Sequence, residues 1–191
     1  MIDYPLPLIG FSAFSGTGKT TLLTRLLPLL RAEGLRIGMV KHAHHNFDID
    51  HPGKDSYELR AAGAEQMLIV SNKRLAMIQE FQHPHKKPKL SQVLSEFNPG
   101  ILDLVLVEGF KAEHFPKIEL HRPALGKPPM FPNDEDIFAI ASDVPAAELG
   151  LHKYDRSPSF LNLNLPGEIA EFILKTISTT TMTNRISGAS T

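Results

Sequence analysis

The sequence has no cysteine among its 191 residues, almost no net charge and no hydrophobic run of membrane-spanning length. The missing cysteine excludes disulfides, thiolate zinc sites, iron–sulfur clusters and cysteine nucleophiles, and is compatible with a reducing compartment. Twenty basic and 21 acidic side chains leave a net charge of -1, so no nucleic-acid partner is expected. Apolar runs such as 102–107 are too short for a membrane span, and the first residues lack the basic and long apolar segments of a signal peptide. We therefore expect a cytoplasmic protein that does not bind membranes.

Alternating strand and helix patterns predict an α/β protein with a mostly parallel sheet. Apolar runs predict strands at 9–14, 35–41, 66–71, 75–80, 103–109, 117–121 and 137–142. Apolar residues at helical spacing predict helices at 19–34, 55–63, 90–97 and 165–177. We expect one domain over 1–176, interrupted by a Pro-rich irregular excursion at 122–136. The Ser/Thr-rich segment 177–191 is predicted to be a disordered tail.

The segment Ala13–Thr20, with the sequence AFSGTGKT, fits the phosphate-binding P-loop pattern, with Ala in place of the first Gly. It lies between a predicted strand and a predicted helix, as the motif requires.

The glycines of this loop allow a tight turn whose N–H groups face phosphate oxygens, and the helix adds its positive dipole end. Lys19 is expected to bridge the β- and γ-phosphates and act in catalysis, and the Thr20 hydroxyl is expected to bind Mg²⁺. The alternative is a Gly-rich turn that only caps a helix. The predicted nucleotide-binding residues of this loop are Ser15, Gly16, Thr17, Gly18, Lys19, Thr20 and Thr21. The pattern predicts a three-layer P-loop NTPase fold with helices on both faces of the sheet.

A second motif, which is acidic, lies on the predicted strand DLVLVEG. This strand carries Asp103 at its start and Glu108 near its end. These two residues lie at opposite ends of the strand, roughly 16 Å apart at the strand rise, so they cannot share one ion. Ligands of open α/β sheets bind beyond the carboxyl ends of the strands. Glu108 is therefore the predicted Mg²⁺ ligand and catalytic carboxylate, with a solvated turn residue as the alternative, and Asp103 is predicted to be a structural strand-entry residue.

The polar segment 41–51 follows the second predicted strand and is rich in histidine and aspartate. Its candidate functional residues are Lys41, His42, His44, His45, Asp48, Asp50 and His51. One interpretation is a transition-metal site, and another is a hydrated loop without a ligand. The interpretation that we prefer places Lys41 and one or two histidines, His42 among them, against phosphate. In it, Asp48 or Asp50 orders Mg²⁺-bound water or an attacking water, with Asp48 as the candidate for catalysis and Asp50 as the candidate for the metal.

Asp143 follows the last predicted strand, in the sequence Ala141-Ser-Asp. A single carboxylate at this point can accept hydrogen bonds from both guanine N1–H and the guanine amino group, whereas adenine lacks that donor pair. The rest of the Asn-Lys-x-Asp pattern is absent. Asp143 is therefore a candidate guanine-binding residue, and a turn residue before Pro145 is the alternative.

Taken together, these segments resemble the molybdopterin-guanine dinucleotide biosynthesis protein B family. The blocks that carry the resemblance are AFSGTGKTTLL, VKHAHHNFDIDHPGKDSYELRAAGA, LDLVLVEGFK, KIEL and AIASDVP. The resemblance as a whole covers residues 6–175. The resemblance implies a GTP-binding protein with weak Mg²⁺-dependent GTPase activity that forms a homodimer. It also implies an adapter role beside the guanylyltransferase of molybdenum cofactor biosynthesis, with molybdopterin itself as a second candidate ligand. The Pro-rich segment and the Ser/Thr tail depart from the family pattern.

Two other functions remain open from the sequence. One is a P-loop small-molecule kinase, although the candidate lid at 122–136 has one Arg and three acidic residues, unlike the Arg-rich lids of such kinases. The other is a metallochaperone GTPase that carries a metal ion on the histidines of 41–51. The sequence offers no Gln clearly placed to orient a water, which favours a slow intrinsic GTPase.

Overall fold

The computed structural model describes residues 2–43, 47–81 and 88–187, and it divides the chain into two compact units. The first unit comprises Met1–His42 and Lys89–Thr191, and the second comprises Ala43–Pro88. This division differs from the predicted single domain over 1–176. The insertion of a separately packed segment cannot be read from apolar periodicity, because its strands and helix have the same local patterns as those of the main sheet.

A six-stranded parallel sheet forms the centre of the first unit, in the order β2-β5-β1-β6-β7-β8. Its strands are β1 (Leu8–Ser12), β2 (Ile37–Lys41), β5 (Leu104–Glu108), β6 (Lys117–His121), β7 (Ile137–Ser142) and β8 (Ser159–Asn162). The mostly parallel sheet is thus confirmed. The edge strand β8 was not predicted, because its four residues include only one buried side chain, Leu161.

Alternate residues of β5 face opposite sides of the sheet, as the two-residue period of a strand requires. Leu104 and Leu106 join a core with Leu26 and Ile173, and Val105 joins a second core on the other face. All three β5 residues are fully buried. The strand is therefore packed on both sides, which explains its continuous apolar sequence.

Helices cover both faces of this sheet, which confirms the predicted three-layer fold. The helices of the first unit are α1 (Lys19–Ala32), α3 (Leu90–Leu94), α4 (Ala146–Leu149) and α5 (Pro166–Ser187). Short 3₁₀ turns lie at Pro99–Ile101, Pro123–Leu125, Phe131–Asn133 and Leu151–Lys153. Helices α1 and α5 contribute to one core, and α3 contributes Leu90 and Leu94 to the other. Within the described residues, no helix combines the length and the apolar character that a bilayer crossing requires.

The last helix extends well beyond its predicted end at 177. Residues through Ser187 are helical, whereas 177–191 was predicted to be a disordered tail, and residues 188–191 lie outside the described part of the chain. Ile177 is buried in the same core as α1, so packing continues to the predicted boundary. Ser and Thr have only moderate helix propensity, and the preceding packed turns provide the nucleus from which the helix continues.

The second unit contains a helix and a two-stranded antiparallel sheet. These are α2 (Asp55–Ala61), β3 (Gln66–Ser71) and β4 (Arg74–Gln79), with Ser71 paired to Arg74 across the turn. The strands predicted at 66–71 and 75–80 are confirmed as β3 and β4, and β4 begins one residue earlier than predicted. Arg60 of α2 forms ion pairs with Asp48 and Glu80 within this unit.

The Pro-rich excursion 122–136 is anchored by two charged side chains that lie outside it, Glu119 and Arg156. The fully buried carboxylate of Glu119 accepts hydrogen bonds from the backbone N–H groups of Met130 (2.8 Å) and Phe131 (2.9 Å). Burial raises the pKa of this carboxyl group. The Arg156 guanidinium donates to four backbone carbonyls of residues 131–137. The excursion is irregular, as predicted, and its end is fixed by these contacts.

Candidate functional site

The predicted phosphate loop lies between β1 and α1 and has the backbone conformation that its glycines permit. Gly16 and Gly18 have φ values of 82° and 97°, in the left-handed region that favours glycine. Gly18 occupies the N-cap position of α1 without any side-chain hydrogen bond to the helix, and no acidic residue lies in the first turn. The first N–H groups of α1 are therefore not capped by a side chain, which favours an anion at this end of the helix.

Within the loop, Thr17 has a structural position. Its side chain is buried, and its hydroxyl donates to the carbonyl of Phe14 at 2.8 Å. Thr20 and Thr21, in contrast, are exposed, so the Thr20 hydroxyl is accessible to a metal ion. Thr20 therefore remains a candidate metal ligand, whereas the Thr17 side chain stabilises the loop.

Two lysine side chains meet at the carbonyl oxygen of Ala13. Lys19 Nζ donates to this oxygen at 3.3 Å, and Lys111 Nζ donates to it at 2.6 Å. Burial lowers the pKa of Lys111, and the positive charge of Lys19 lowers it further. Burial also lowers the pKa of Lys19, while nearby Glu108 raises it. Lys111 was not predicted as a site residue, and its only sequence signal is its place directly after the β5 turn.

The turn after β5 has a strained backbone that directs Lys111 toward the loop. Gly109 and Phe110 both have positive φ, 100° and 51°. A Cβ at Gly109 would lie 2.6 Å from the Cβ of His42, so the close approach also requires glycine. The Phe110 ring packs on the His42 ring with 4.6 Å between their centroids. A bulky residue at positive φ is uncommon and is typical of functional turns.

Glu108 ends β5, as predicted, and lies beside Lys41 at the end of β2. Its carboxylate lies 3.5 Å from Lys41 Nζ, and only 14% of its side chain is exposed. Asp103 lies at the opposite end of β5, where it accepts hydrogen bonds from the Arg36 guanidinium at 2.7 and 2.8 Å. The structure therefore separates the two carboxylates as expected, with Glu108 at the carboxyl end of the sheet and Asp103 in a structural ion pair.

Asp143 is linked to the phosphate loop through Arg122. Arg122 Nη1 donates to Asp143 Oδ2 at 2.6 Å, and Arg122 Nε donates to the carbonyl of Thr17 at 2.9 Å. Asp143 Oδ1 is buried, and no hydrogen-bond partner for it occurs in the described residues. An orphaned buried acceptor is costly, so this atom is suited to receive a donor from a ligand. The sequence places Arg122 only in the candidate lid 122–136, whereas its contacts in the structure fix the loop to Asp143.

The remaining predicted site residues divide between the two units. His42 is in the first unit, where its backbone N–H donates to the Glu108 carbonyl at 2.8 Å.

Asp48 and Asp50 are in the second unit. There, Asp48 accepts a hydrogen bond from Arg60 at 2.8 Å, and Asp50 Oδ1 accepts one from the His51 N–H at 3.0 Å. Their predicted roles at water and Mg²⁺ stay predictions. His44 and His45 lie outside the described residues, and elsewhere in the described chain no group of three metal-ligating side chains occurs.

Comparison with known proteins identifies similar sequences and folds. Residues 8–143 match the model of a family described as molybdopterin guanine dinucleotide synthesis protein B. The molybdopterin-guanine dinucleotide biosynthesis adapter protein of Escherichia coli is 48% identical over 141 residues, 73% of this chain and 80% of the relative. The protein of the same name from Haemophilus influenzae is 40% identical over 169 residues, 88% of each chain.

Solved structures have the same fold. A crystal structure of molybdopterin-guanine biosynthesis protein B superposes with a TM-score of 0.65 at 26% identity, and covers 88% of this chain and 99% of that one. The Bacillus subtilis MobB structure superposes with a TM-score of 0.67 at 21% identity, over 90% of this chain and 98% of that one. The architecture described above is therefore that of these proteins.

Proposed function

Because the chain belongs to the family of molybdopterin guanine dinucleotide synthesis protein B, we propose that it is a GTP-binding adapter with weak Mg²⁺-dependent GTPase activity. Its partner in this proposal is the guanylyltransferase that joins GMP to molybdopterin. The similar curated proteins are named adapters of molybdopterin-guanine dinucleotide biosynthesis. This name supports a role in assisting another enzyme of that synthesis.

The observation that carries the nucleotide-binding part is the phosphate loop. Its N-cap is a left-handed glycine without a side-chain cap, and the ammonium group of Lys19 lies at the loop carbonyl of Ala13. Both features favour an anion with several oxygen acceptors. In this proposal, the loop N–H groups and Lys19 bind the phosphate groups of GTP.

Magnesium fits the oxygen-rich side of this loop. The Thr20 hydroxyl is accessible, and Glu108 is a mostly buried carboxylate whose pairing with Lys41 is loose at 3.5 Å. Mg²⁺ prefers such hard oxygen ligands and keeps several of its waters. Thr20 and Glu108 would hold the ion, and the bound ion would neutralise phosphate charge.

Selection of guanine rests on Asp143. Its buried Oδ1 is available to a donor, while Oδ2 is held by Arg122. Guanine offers a ring N–H and an amino group side by side, which one carboxylate can accept together, whereas adenine has no such donor pair. Arg122 binds both Asp143 and the loop carbonyl of Thr17. Because its guanidinium is occupied by these contacts, it does not neutralise phosphate charge during hydrolysis, and slow hydrolysis is expected.

The proposal includes a homodimer. The antiparallel sheet of the second unit exposes several large apolar side chains, among them Leu68 (63% exposed), Val70 (73%) and Leu75 (64%). Isolated two-stranded sheets are only marginally stable and need an apolar surface to pack against. A second copy of this chain is the proposed partner of that surface, and sedimentation velocity of the full chain tests it.

Calorimetry with GTP, ATP and GDP, each with and without Mg²⁺, tests the nucleotide-binding part. We expect GTP to bind in preference to ATP and more tightly with Mg²⁺. Lys19→Ala removes a charge-assisted contact, so it should weaken GTP binding about ten- to a hundredfold. Lys127→Ala, at an exposed lysine of the excursion, is the control for loss of one positive charge. Unchanged GTP affinity in Lys19→Ala would refute the phosphate assignment.

The adapter role has its own test. The full chain is mixed with the guanylyltransferase in the presence of GTP, GDP or no nucleotide, and association is measured. We expect association to depend on the bound nucleotide. An absence of association in all three conditions would refute the partnership and leave nucleotide binding untouched.

A further inference from the structure

The two lysines at the Ala13 carbonyl form an arrangement that a structural role alone does not require. One backbone oxygen accepts from both Lys111 Nζ at 2.6 Å and Lys19 Nζ at 3.3 Å. Two ammonium groups that share one acceptor repel each other, and the charge of Lys19 lowers the pKa of Lys111. An anion with several oxygens would relieve this repulsion, because it could accept from both groups at once.

Strain in the backbone also points to a functional position for Lys111. The chain reverses after β5 through Gly109 and Phe110, both at positive φ. A non-glycine residue in this region is strained and persists where the surrounding structure enforces it. The reversal carries the Lys111 side chain past the Phe14 ring, with 5.5 Å from Nζ to the ring centroid, to the start of the phosphate loop.

The location of Lys111 indicates which phosphate it would meet. It comes three residues after Glu108, the carboxylate at the end of the strand next to β1. In P-loop proteins the acidic residue at this strand end holds the metal that bridges the β- and γ-phosphates, so the terminal phosphate lies on this side of the loop. Lys19 comes from the helix side of the loop, whereas Lys111 comes from the β5 side. The two cations therefore approach a bound triphosphate from different directions.

We propose that Lys111 is a second phosphate-binding lysine, which contacts the terminal phosphate of a nucleoside triphosphate and thereby distinguishes it from a diphosphate. The proposal rests on the proposed nucleotide-binding function and deepens it. On triphosphate binding, Lys111 Nζ transfers its hydrogen bond from the Ala13 carbonyl to a γ-phosphate oxygen. A diphosphate offers no oxygen at that position, so Lys111 remains on Ala13.

The test is calorimetry of the full chain with Mg²⁺ and either a non-hydrolysable GTP analogue or GDP, at one fixed salt concentration. Lys111→Met should weaken binding of the GTP analogue about ten- to a hundredfold. GDP affinity should change less than about twofold, because no contact to it is lost. Lys111→Arg keeps the charge and should recover part of the triphosphate affinity. Lys127→Met controls for the loss of one distant positive charge.

The pattern of affinity changes distinguishes a phosphate contact of Lys111 from a purely structural role. Equal loss of GTP-analogue and GDP affinity would show that Lys111 only supports the loop through Ala13, and unchanged affinity for both would show no role in binding; either result overturns the proposal. Failure of the proposed function has a different signature, in which wild type binds neither nucleotide. In that case the triphosphate contact fails with it.

Discussion

The close approach of Gly109 to His42 gives a sharp test of the turn that ends β5. Gly109 has a φ of 100°, and a Cβ added there would lie 2.6 Å from the His42 Cβ and 3.5 Å from its backbone N and Cα. The contacted atom is the first carbon of a side chain, so rotation about the side-chain bonds cannot move it away. Gly109→Ala therefore introduces both backbone strain and a steric conflict.

The two costs can be estimated separately. A left-handed backbone at an alanine costs about 1–2 kcal/mol, and overpacking against a fixed neighbour costs about 1–3 kcal/mol. We expect Gly109→Ala to lower the free energy of unfolding by about 2–5 kcal/mol, measured by urea denaturation followed by circular dichroism. That is a large part of the stability of an ordinary domain.

A second glycine provides the matched control. Gly34, just after α1, has a φ of 84°, and nothing lies within 4 Å of its added Cβ. Gly34→Ala should incur only the backbone cost of about 1–2 kcal/mol. Equal destabilisation by the two substitutions would refute the contact between Gly109 and His42 as the reason for glycine at this turn.

Two more substitutions test Asp143, the proposed base-binding residue, and Asp103, which lies at the opposite end of β5 from Glu108. Asp143→Asn should reduce the preference for GTP over ATP in competition calorimetry, because an amide cannot present two acceptors to the guanine edge; an unaltered preference would place base selection elsewhere. The Arg36 guanidinium beside Asp103 lowers the pKa of that carboxyl group from 3.8 to about 2, so its contribution to stability is present above pH 3.8 and is lost as the pH falls toward 2. Urea denaturation of wild type and Asp103→Asn over this range should therefore converge at the acid end, and a constant difference between them would contradict the ion pair.

The sequence by itself determined the parts of the protein that depend on local pattern. The glycine-rich turn between β1 and α1, the predicted phosphate loop, could be located because the glycine spacing, a preceding apolar strand and a following helix are all contiguous between Leu8 and Ala32. The parallel sheet followed from strand and helix alternation, and the separation of Glu108 from Asp103 followed from the length of one strand. Each of these predictions depends on residue spacing or on the length of one element, and both can be read directly from the sequence.

Only the tertiary structure decided which distant side chains join the loop. Lys111 meets Ala13 across 98 residues of sequence, and Arg122 meets Thr17 across 105. Neither residue belongs to a spacing rule, because each is placed by the order of strands in the sheet and by the conformation of the turn before it. The edge strand β8 depends in the same way on its pairing with β7, since its own four residues carry little apolar signal. Long-range packing selects such contacts, so they become visible only when the chain is folded.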